Sequence, residues 1–260
     1  VNLGHSFRHI AVQAQADIKG IRLAPPHDHL GEKLGAILPS GCANAETLLE
    51  LMKTANRILE HHPLNEKLRA QGKMPANGVW FWAEGTAVKL PDFKAATGHD
   101  GTVVSAVPLC HGIAALTGLS FVCPEGATGE KDTSYENKLR AALDILEEHD
   151  FAAIHVEAPD ECTHNGDLEG KLEAIGWLDT RLIKPLDEAM RQRAWDYRLL
   201  FLSDHKTLTS TRGHDGDPVP FMIYDSRVDT GAGLPYTEKS GEKGAYVNSG
   251  VALMSILFEK

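Results

Sequence analysis

Apolar positions in the second half of the chain come in short unbroken runs separated by longer stretches of helical spacing. Runs at 119–123, 151–156, 197–202 and 219–224 read as buried strands, and the stretches 109–116, 135–148, 168–193 and 251–258 read as helices. Strands alternating with helices of this length predict an α/β core whose sheet is mostly parallel and covered by helices on both faces. The first hundred residues follow another pattern. One strong helix begins after Asn44 as its cap, carries Leu48, Leu49, Met52, Ala55, Ile58 and Leu59 at helical spacing, and stops at Pro63. Around it lie Pro25, Pro26, Pro39, Pro75 and Pro91 with several glycines, and the best strands there are 78–82 and 102–107. This predicts a smaller α+β lid over residues 1–106 and the α/β core over 107–260, with 231–244 as a surface loop before the last helix. There is no internal repeat.

Composition narrows the function classes. At 260 residues and 42% hydrophobic, the chain can bury one large core or two modest ones. A formal net charge of -10 argues against nucleic acid and membrane surfaces, which need a concentrated basic face. The four cysteines, Cys42, Cys110, Cys123 and Cys162, form no C-x-x-C pair, so neither a structural zinc site nor a disulfide framework is expected. No apolar run reaches the ~18 residues that span a bilayer, and no signal pattern opens the chain. These features predict a cytoplasmic protein with no membrane partner; they do not address self-association. The chain opens at Val1 without a methionine and reads as the back part of a larger enzyme.

Candidate chemistry gathers where α/β sheets keep it, beyond the carboxyl ends of the strands. The strand ending near Val156 runs into Pro159 and Asp160, with His164 four residues on; the strand ending at Leu202 runs into Asp204 and His205; His214 lies in the loop before Pro218. Read in a turn, Asp160 and His164 could share one ion. A single histidine after a strand is more often a cap or a core residue, but five such residues, with prolines stiffening their loops, read as most of a two-metal site. Imidazole with carboxylate suits Zn, Mn, Co or Fe better than Ca or Mg. His61, His62, His99 and His149 fall at helix ends or polar turns, where a surface or structural role is expected, and His155 within an apolar strand reads as a satisfied core residue. The glycines and lysine of 126–133 lack phosphate-loop spacing, and no G-x-S-x-G elbow accompanies the serines.

The stretches HVEAPDECTHNGDLEGKLEAIGWLD and SDHKTLTSTRGHDGDPVPFMIYDSR, with GATGEKDTSYENK, HPLNEKLRAQGKMPANGVWFW, APPHDHLG and HSFRHIAV before them, resemble the archaeal-type cofactor-independent phosphoglycerate mutases of the alkaline phosphatase superfamily. The resemblance implies an alkaline-phosphatase-like core whose N-terminal part is not in this chain. It implies one ion held by Asp160, His164 and His214, and a second held by Asp204 and His205 together with an aspartate and a nucleophilic serine of the segment not present. It further implies two divalent ions, manganese first with cobalt, magnesium or zinc as alternatives, and no need for 2,3-bisphosphoglycerate. The implied partner is a small phosphorylated acid, 3- or 2-phosphoglycerate, interconverted through a phosphoserine. Arg8 and His9, then Asn77 and Lys138, are the expected substrate contacts. Two departures stand out. Relatives read Trp-Gly-Gln-Gly-Arg where this chain has Trp82, Ala83, Glu84, Gly85 and Thr86, and Asp and Lys where it has Pro108 and His111. They motivate two alternatives: a phosphatase or mutase on another small phosphorylated acid, or a catalytically silent fragment lacking the nucleophile.

Overall fold

The computed structural model describes residues 1–4, 8–26, 29, 31–228, 231 and 233–259, so parts of the HSFRHIAV and APPHDHLG stretches lie outside the described residues. The chain divides into two compact units, Val1–Val88 and Lys89–Lys260. The sequence expectation put the change after residue 106; in the structure the strand following Asp100 pairs with strands of the second unit.

In the first unit, helix α1 (Ala43–Glu60) starts from Cys42, whose extended backbone takes the capping position. Asn44, expected as the cap, instead exchanges two hydrogen bonds with the Gln13 amide, at 2.8 and 3.1 Å. Pro63 does not stop the helix. It opens helix α2 (Pro63–Ala70), where its fixed φ suits the first turn, and His62 accepts the Leu64 N–H at 3.2 Å as the cap. Residues 78–82 form no strand. Trp80 donates its indole N–H to the Ala24 carbonyl, 2.8 Å, and Phe81 packs on the core of Ile21, Ala45 and Leu48; the aromatic run is spent on packing rather than on a ladder.

The second unit contains α3 (Phe93–Thr97), β1 (Gly101–Val104), α4 (Pro108–Leu116), β2 (Ser120–Val122), α5 (Tyr135–Leu146) and β3 (Phe151–Ile154). The three strands form a parallel sheet in the order β2-β1-β3. Gly101 is required at its entry, because a Cβ there would lie 2.2 Å from the Phe151 carbonyl oxygen of the neighbouring strand. After β3 come α6 (Ala158–His164) and α7 (Leu168–Trp177). The helix expected over 168–193 continues as a π-helical turn (Leu178–Ile183) and α8 (Lys184–Gln192). Pro185 has no N–H to give the preceding turn, and the wider turn accommodates that loss. Arg181 in this turn grips Glu136 of α5 with two hydrogen bonds, 2.7 and 2.8 Å.

Strand β4 (Arg198–Leu202) leads to a small hairpin of β5 (Lys206–Thr207) and β6 (His214–Asp215), followed by β7 (Phe221–Asp225), α9 (Glu238–Gly241) and α10 (Gly250–Phe258). β7 returns antiparallel to β4, with Arg198 opposite Asp225 and Leu202 opposite Phe221. The α/β reading holds; among the described residues the parallel portion is three strands, with an antiparallel pair following it in sequence.

Candidate metal centre

Asp160 and His164 sit on α6, one helical turn apart, rather than in the turn expected from sequence. Pro159 occupies the first turn of α6, and Thr163 returns its hydroxyl to the Pro159 carbonyl, 2.7 Å. The helix ends in a Schellman motif: Gly166 N–H reaches Thr163 O at 2.9 Å, Asp167 N–H reaches Cys162 O at 2.8 Å, and Gly166 adopts φ +73°. The missing Cβ also leaves room for Arg212, because a Cβ on Gly166 would lie 2.4 Å from its guanidinium carbon.

Arg212 belongs to the β5–β6 loop, where its left-handed backbone, φ +56°, closes the turn. Its carbonyl accepts a hydrogen bond from Nδ1 of His164 at 2.7 Å. A carbonyl can only accept, so His164 carries its proton on Nδ1 and turns the Nε2 lone pair inward. That lone pair faces Asp160 Oδ2 at 3.2 Å and His214 Nε2 at 3.1 Å, and His214 Nε2 lies 3.5 Å from Asp160 Oδ1. Cross-strand pairing of Thr207 with His214 explains the convergence. The Thr207 hydroxyl donates to Asp160 Oδ1 from one strand while His214 reaches the same carboxylate from the other. Lys171 of α7 fixes the hairpin through the Thr207 carbonyl, 2.8 Å.

An inward-facing Nε2 beside a carboxylate and a second imidazole is an arrangement that a cation between them would complete. Donors held at 2.0–2.1 Å around a tetrahedral ion lie roughly 3.3 Å from one another, and the three separations here bracket that value. Two imidazoles and one carboxylate are a donor set for a borderline divalent transition metal. Asp160, His164 and His214 therefore fit such an ion by chemistry and by spacing. The surroundings are acidic as well: oxygens of Glu157, Asp160 and Glu161 gather within 4.8 Å of one another. Burial, then the charges of Glu130 and Asp160, push the Glu161 carboxyl above its usual range.

His205 adjoins this cluster, its ring 3.8 Å from that of His214 at a 31° tilt. Its Nε2 pairs with Asp204 at 3.2 Å, and its Nδ1 lies 3.3 Å from the Thr207 hydroxyl. The Asp204 side chain is 78% exposed. These two residues stand beside the three-donor cluster rather than pointing into it.

Residues 27–260 match the metalloenzyme superfamily over most of the chain. The chain belongs to the metalloenzyme superfamily. A protein of Geobacter sulfurreducens named probable 2,3-bisphosphoglycerate-independent phosphoglycerate mutase is 39% identical over 99% of this chain and 64% of its own length. The 2,3-bisphosphoglycerate-independent phosphoglycerate mutase of Methanosarcina mazei is 39% identical over 93% of this chain and 61% of its own. Among solved structures, the PH0037 protein from Pyrococcus horikoshii superposes with a TM-score of 0.63 at 28% identity, covering 83% of this chain and 57% of that one. The chain thus spans less than two thirds of the relatives it matches.

Of the expected substrate contacts, Arg8, His9 and Asn77 lie in the first unit. His9 Nδ1 accepts from Gly4 N–H at 3.2 Å, and the Asn77 carbonyl accepts from the Asn56 amide. Lys138 lies in the second unit and is buried. Its ammonium donates to the carbonyls of His155, 3.0 Å, and Thr128, 3.4 Å, and burial pulls its pKa down. Thr207 and the Arg212 carbonyl escaped the sequence reading. Thr207 lies two residues after His205, with its hydroxyl 3.3 Å from the His205 Nδ1; the Arg212 contact runs through backbone and leaves no side-chain signal.

Proposed function

We propose that this chain supplies the metal-binding part of a phosphoglycerate mutase that needs no 2,3-bisphosphoglycerate. The observation that carries the reading is the convergence of Asp160, His164 and His214 at ligand-to-ligand spacing in a chain 39% identical to proteins of that name. In this reading Asp160, His164 and His214 hold one divalent ion, manganese by preference, and Asp204 with His205 contributes to a second. Bound there, the ions would lower the pKa of a nucleophilic serine and neutralise charge on the attacking and leaving oxygens of a transferring phosphoryl group. The protein's part is orientation. The Arg212 carbonyl fixes the His164 tautomer, Thr207 holds the Asp160 carboxylate, and both keep the donors aimed before the ion arrives. The serine, and the acid that completes the second site, are assigned to sequence outside this chain. The first unit, residues 1–88, would serve as the lid, with Arg8, His9 and Asn77 meeting the substrate's anionic groups; Lys138 is left out of that role, because its buried ammonium is taken up by the His155 and Thr128 carbonyls; a cytosolic setting goes with this chemistry.

A second reading, turnover of a different small phosphorylated acid, draws on His111. Its ring donates from Nε2 to the Ser105 carbonyl at 2.7 Å and stacks on Phe121 at 4.6 Å, so it does not stand in for the lysine that the resemblance leads one to expect there. The test is conversion of 3- to 2-phosphoglycerate without 2,3-bisphosphoglycerate, with added Mn, Co, Mg or Zn, on this chain and on a form extended upstream. Metal-dependent conversion by the extended form, lost in His164→Ala, is the expected result. Conversion that ignores metal and variant would overturn the assignment, and turnover of another phospho-acid instead of phosphoglycerate would favour the second reading.

A further inference from the structure

A lysine stands on α5 where helical packing calls for an apolar side chain. The buried face of α5 is Tyr135, Lys138 and Ala142 at helical spacing, and Lys138 is 1% exposed. Among the described residues its ammonium makes no ion pair; its two acceptors are backbone carbonyls, His155 at 3.0 Å just past β3 and Thr128 at 3.4 Å in the loop before α5. Burying a charge against carbonyl dipoles alone is costly, and an apolar residue of similar size would fill the same space without that cost. What the lysine holds gives it a use.

The His155 carbonyl sits where the chain leaves the sheet for the helix that carries Asp160 and His164. The His155 N–H still continues the ladder, donating to the Val104 carbonyl of β1 at 2.9 Å. Its ring is held on both sides, Nδ1 3.1 Å from the Ser105 hydroxyl and Nε2 3.0 Å from a Glu157 carboxylate oxygen. Glu157 in turn takes the N-cap position of α6, where its carbonyl accepts the Asp160 N–H at 2.9 Å and the Glu161 N–H at 3.3 Å. An unbroken run of bonds thus leads from the ammonium through His155 and Glu157 to the first turn of α6. On the other side, the Thr128 carbonyl ties in the loop before α5. There the Thr128 N–H donates to the Thr133 hydroxyl at 3.0 Å, and Lys131 reaches Glu173 of α7 at 2.9 Å.

We propose that Lys138 is a positioning residue of the metal centre, on the reading that Asp160, His164 and His214 hold a divalent ion: its ammonium, clamped between the Thr128 and His155 carbonyls, sets the exit of β3 and with it the direction in which α6 presents Asp160 and His164. Lys138 itself touches no ligand atom of the cluster; it acts through His155 and Glu157. Removing the ammonium leaves two buried carbonyls without their donor. The start of α6 then loses one of the bonds that fix it, and donors that are no longer aimed bind an ion less tightly.

The test uses Co(II) as the probe, because its visible absorption reports ligand number and geometry, read beside the Co(II) affinity and the melting temperature of the ion-free chain. The parent is expected to give a band that His164→Ala abolishes. Lys138→Met keeps the stem and removes the donor; it is expected to bind Co(II) about tenfold more weakly or worse, with an altered band. Lys138→Gln keeps two N–H donors on a shorter side chain, is expected to fall in between, and serves alone if the methionine variant does not fold. Glu136→Gln is the control for simple destabilisation, since it loosens the Arg181 grip on the same helix; it is expected to lower the melting temperature and leave band and affinity as in the parent. Lys138 variants that behave like this control, melting lower with the parent band and affinity, would overturn the positioning role and leave the metal reading standing. A parent chain with no His164-dependent band would overturn the metal reading and this role with it.

Discussion

Asp160 meets two imidazoles and a hydroxyl in the structure, and only the hydroxyl has no role as a donor to an ion. Removing it isolates the supporting contribution. Thr207→Val is expected to weaken divalent-ion binding by about 10- to 100-fold, measured by titration calorimetry with Mn, while the melting temperature of the ion-free protein changes little; unchanged affinity would show that the Asp160 carboxylate is held by other means. A second test at this scale concerns Tyr135, whose buried hydroxyl is the one buried side-chain polar atom without a partner among the described residues. Its ring is wedged edge-on against Trp177 and beneath Arg181. Tyr135→Phe should be neutral or raise stability by up to about 1 kcal/mol, because it removes an unmet polar group and keeps the ring; a clear loss in denaturant titrations would mean the hydroxyl has a partner. Side-chain identity made the donors legible in the sequence, since Asp and His after strand ends carry their chemistry with them. It could not show that Asp160 and His164 ride on a helix, because seven residues beginning Ala-Pro-Asp read as loop.

At the scale of elements, the α6 ending is the hinge of the account. Gly166→Ala would put a side chain at φ +73° and against Arg212, so it should cost about 1 kcal/mol or more and shift His164 through the Arg212 carbonyl. Thermal melts with and without Mn check both effects; an unchanged melting point and unchanged metal response would remove the role given to this turn. The β4–β7 pair carries its own prediction. Arg227 beyond the ladder's end and then Arg198 across it, both 2.7 Å away, hold Asp225 well below the usual carboxylate range. A depressed folded-state pKa gives stability that is fully present above an unfolded aspartate's value, about 3.9, and is lost as pH falls below it. Melting temperature should therefore drop more steeply from pH 5 to pH 3 in the parent than in Asp225→Asn; parallel curves would contradict the assignment. Strands such as Phe151–Ile154 and helices such as Tyr135–Leu146 were readable because burial imposes their period. The first half resisted, since Trp80 and Phe81 satisfy themselves in tertiary contacts that mimic a strand's composition, and Pro63 is equally suited to stopping one helix and starting the next.

For the whole molecule, a net charge of -10 surrounds a centre that draws together imidazoles and carboxylates, so the field favours cations and leaves anionic substrates to local contacts. The chain matches its relatives over less than two thirds of their length, and the phosphoglycerate reading accordingly rests on what an upstream-extended form does. The proposed centre places a divalent ion between α6 and the β5–β6 hairpin. Anomalous diffraction from crystals soaked in Mn tests it most directly. The account predicts a peak bounded by the Asp160 carboxylate, His164 Nε2 and His214 Nε2, and its loss in His164→Ala. A peak that lies elsewhere, or one that survives that substitution, would contradict it.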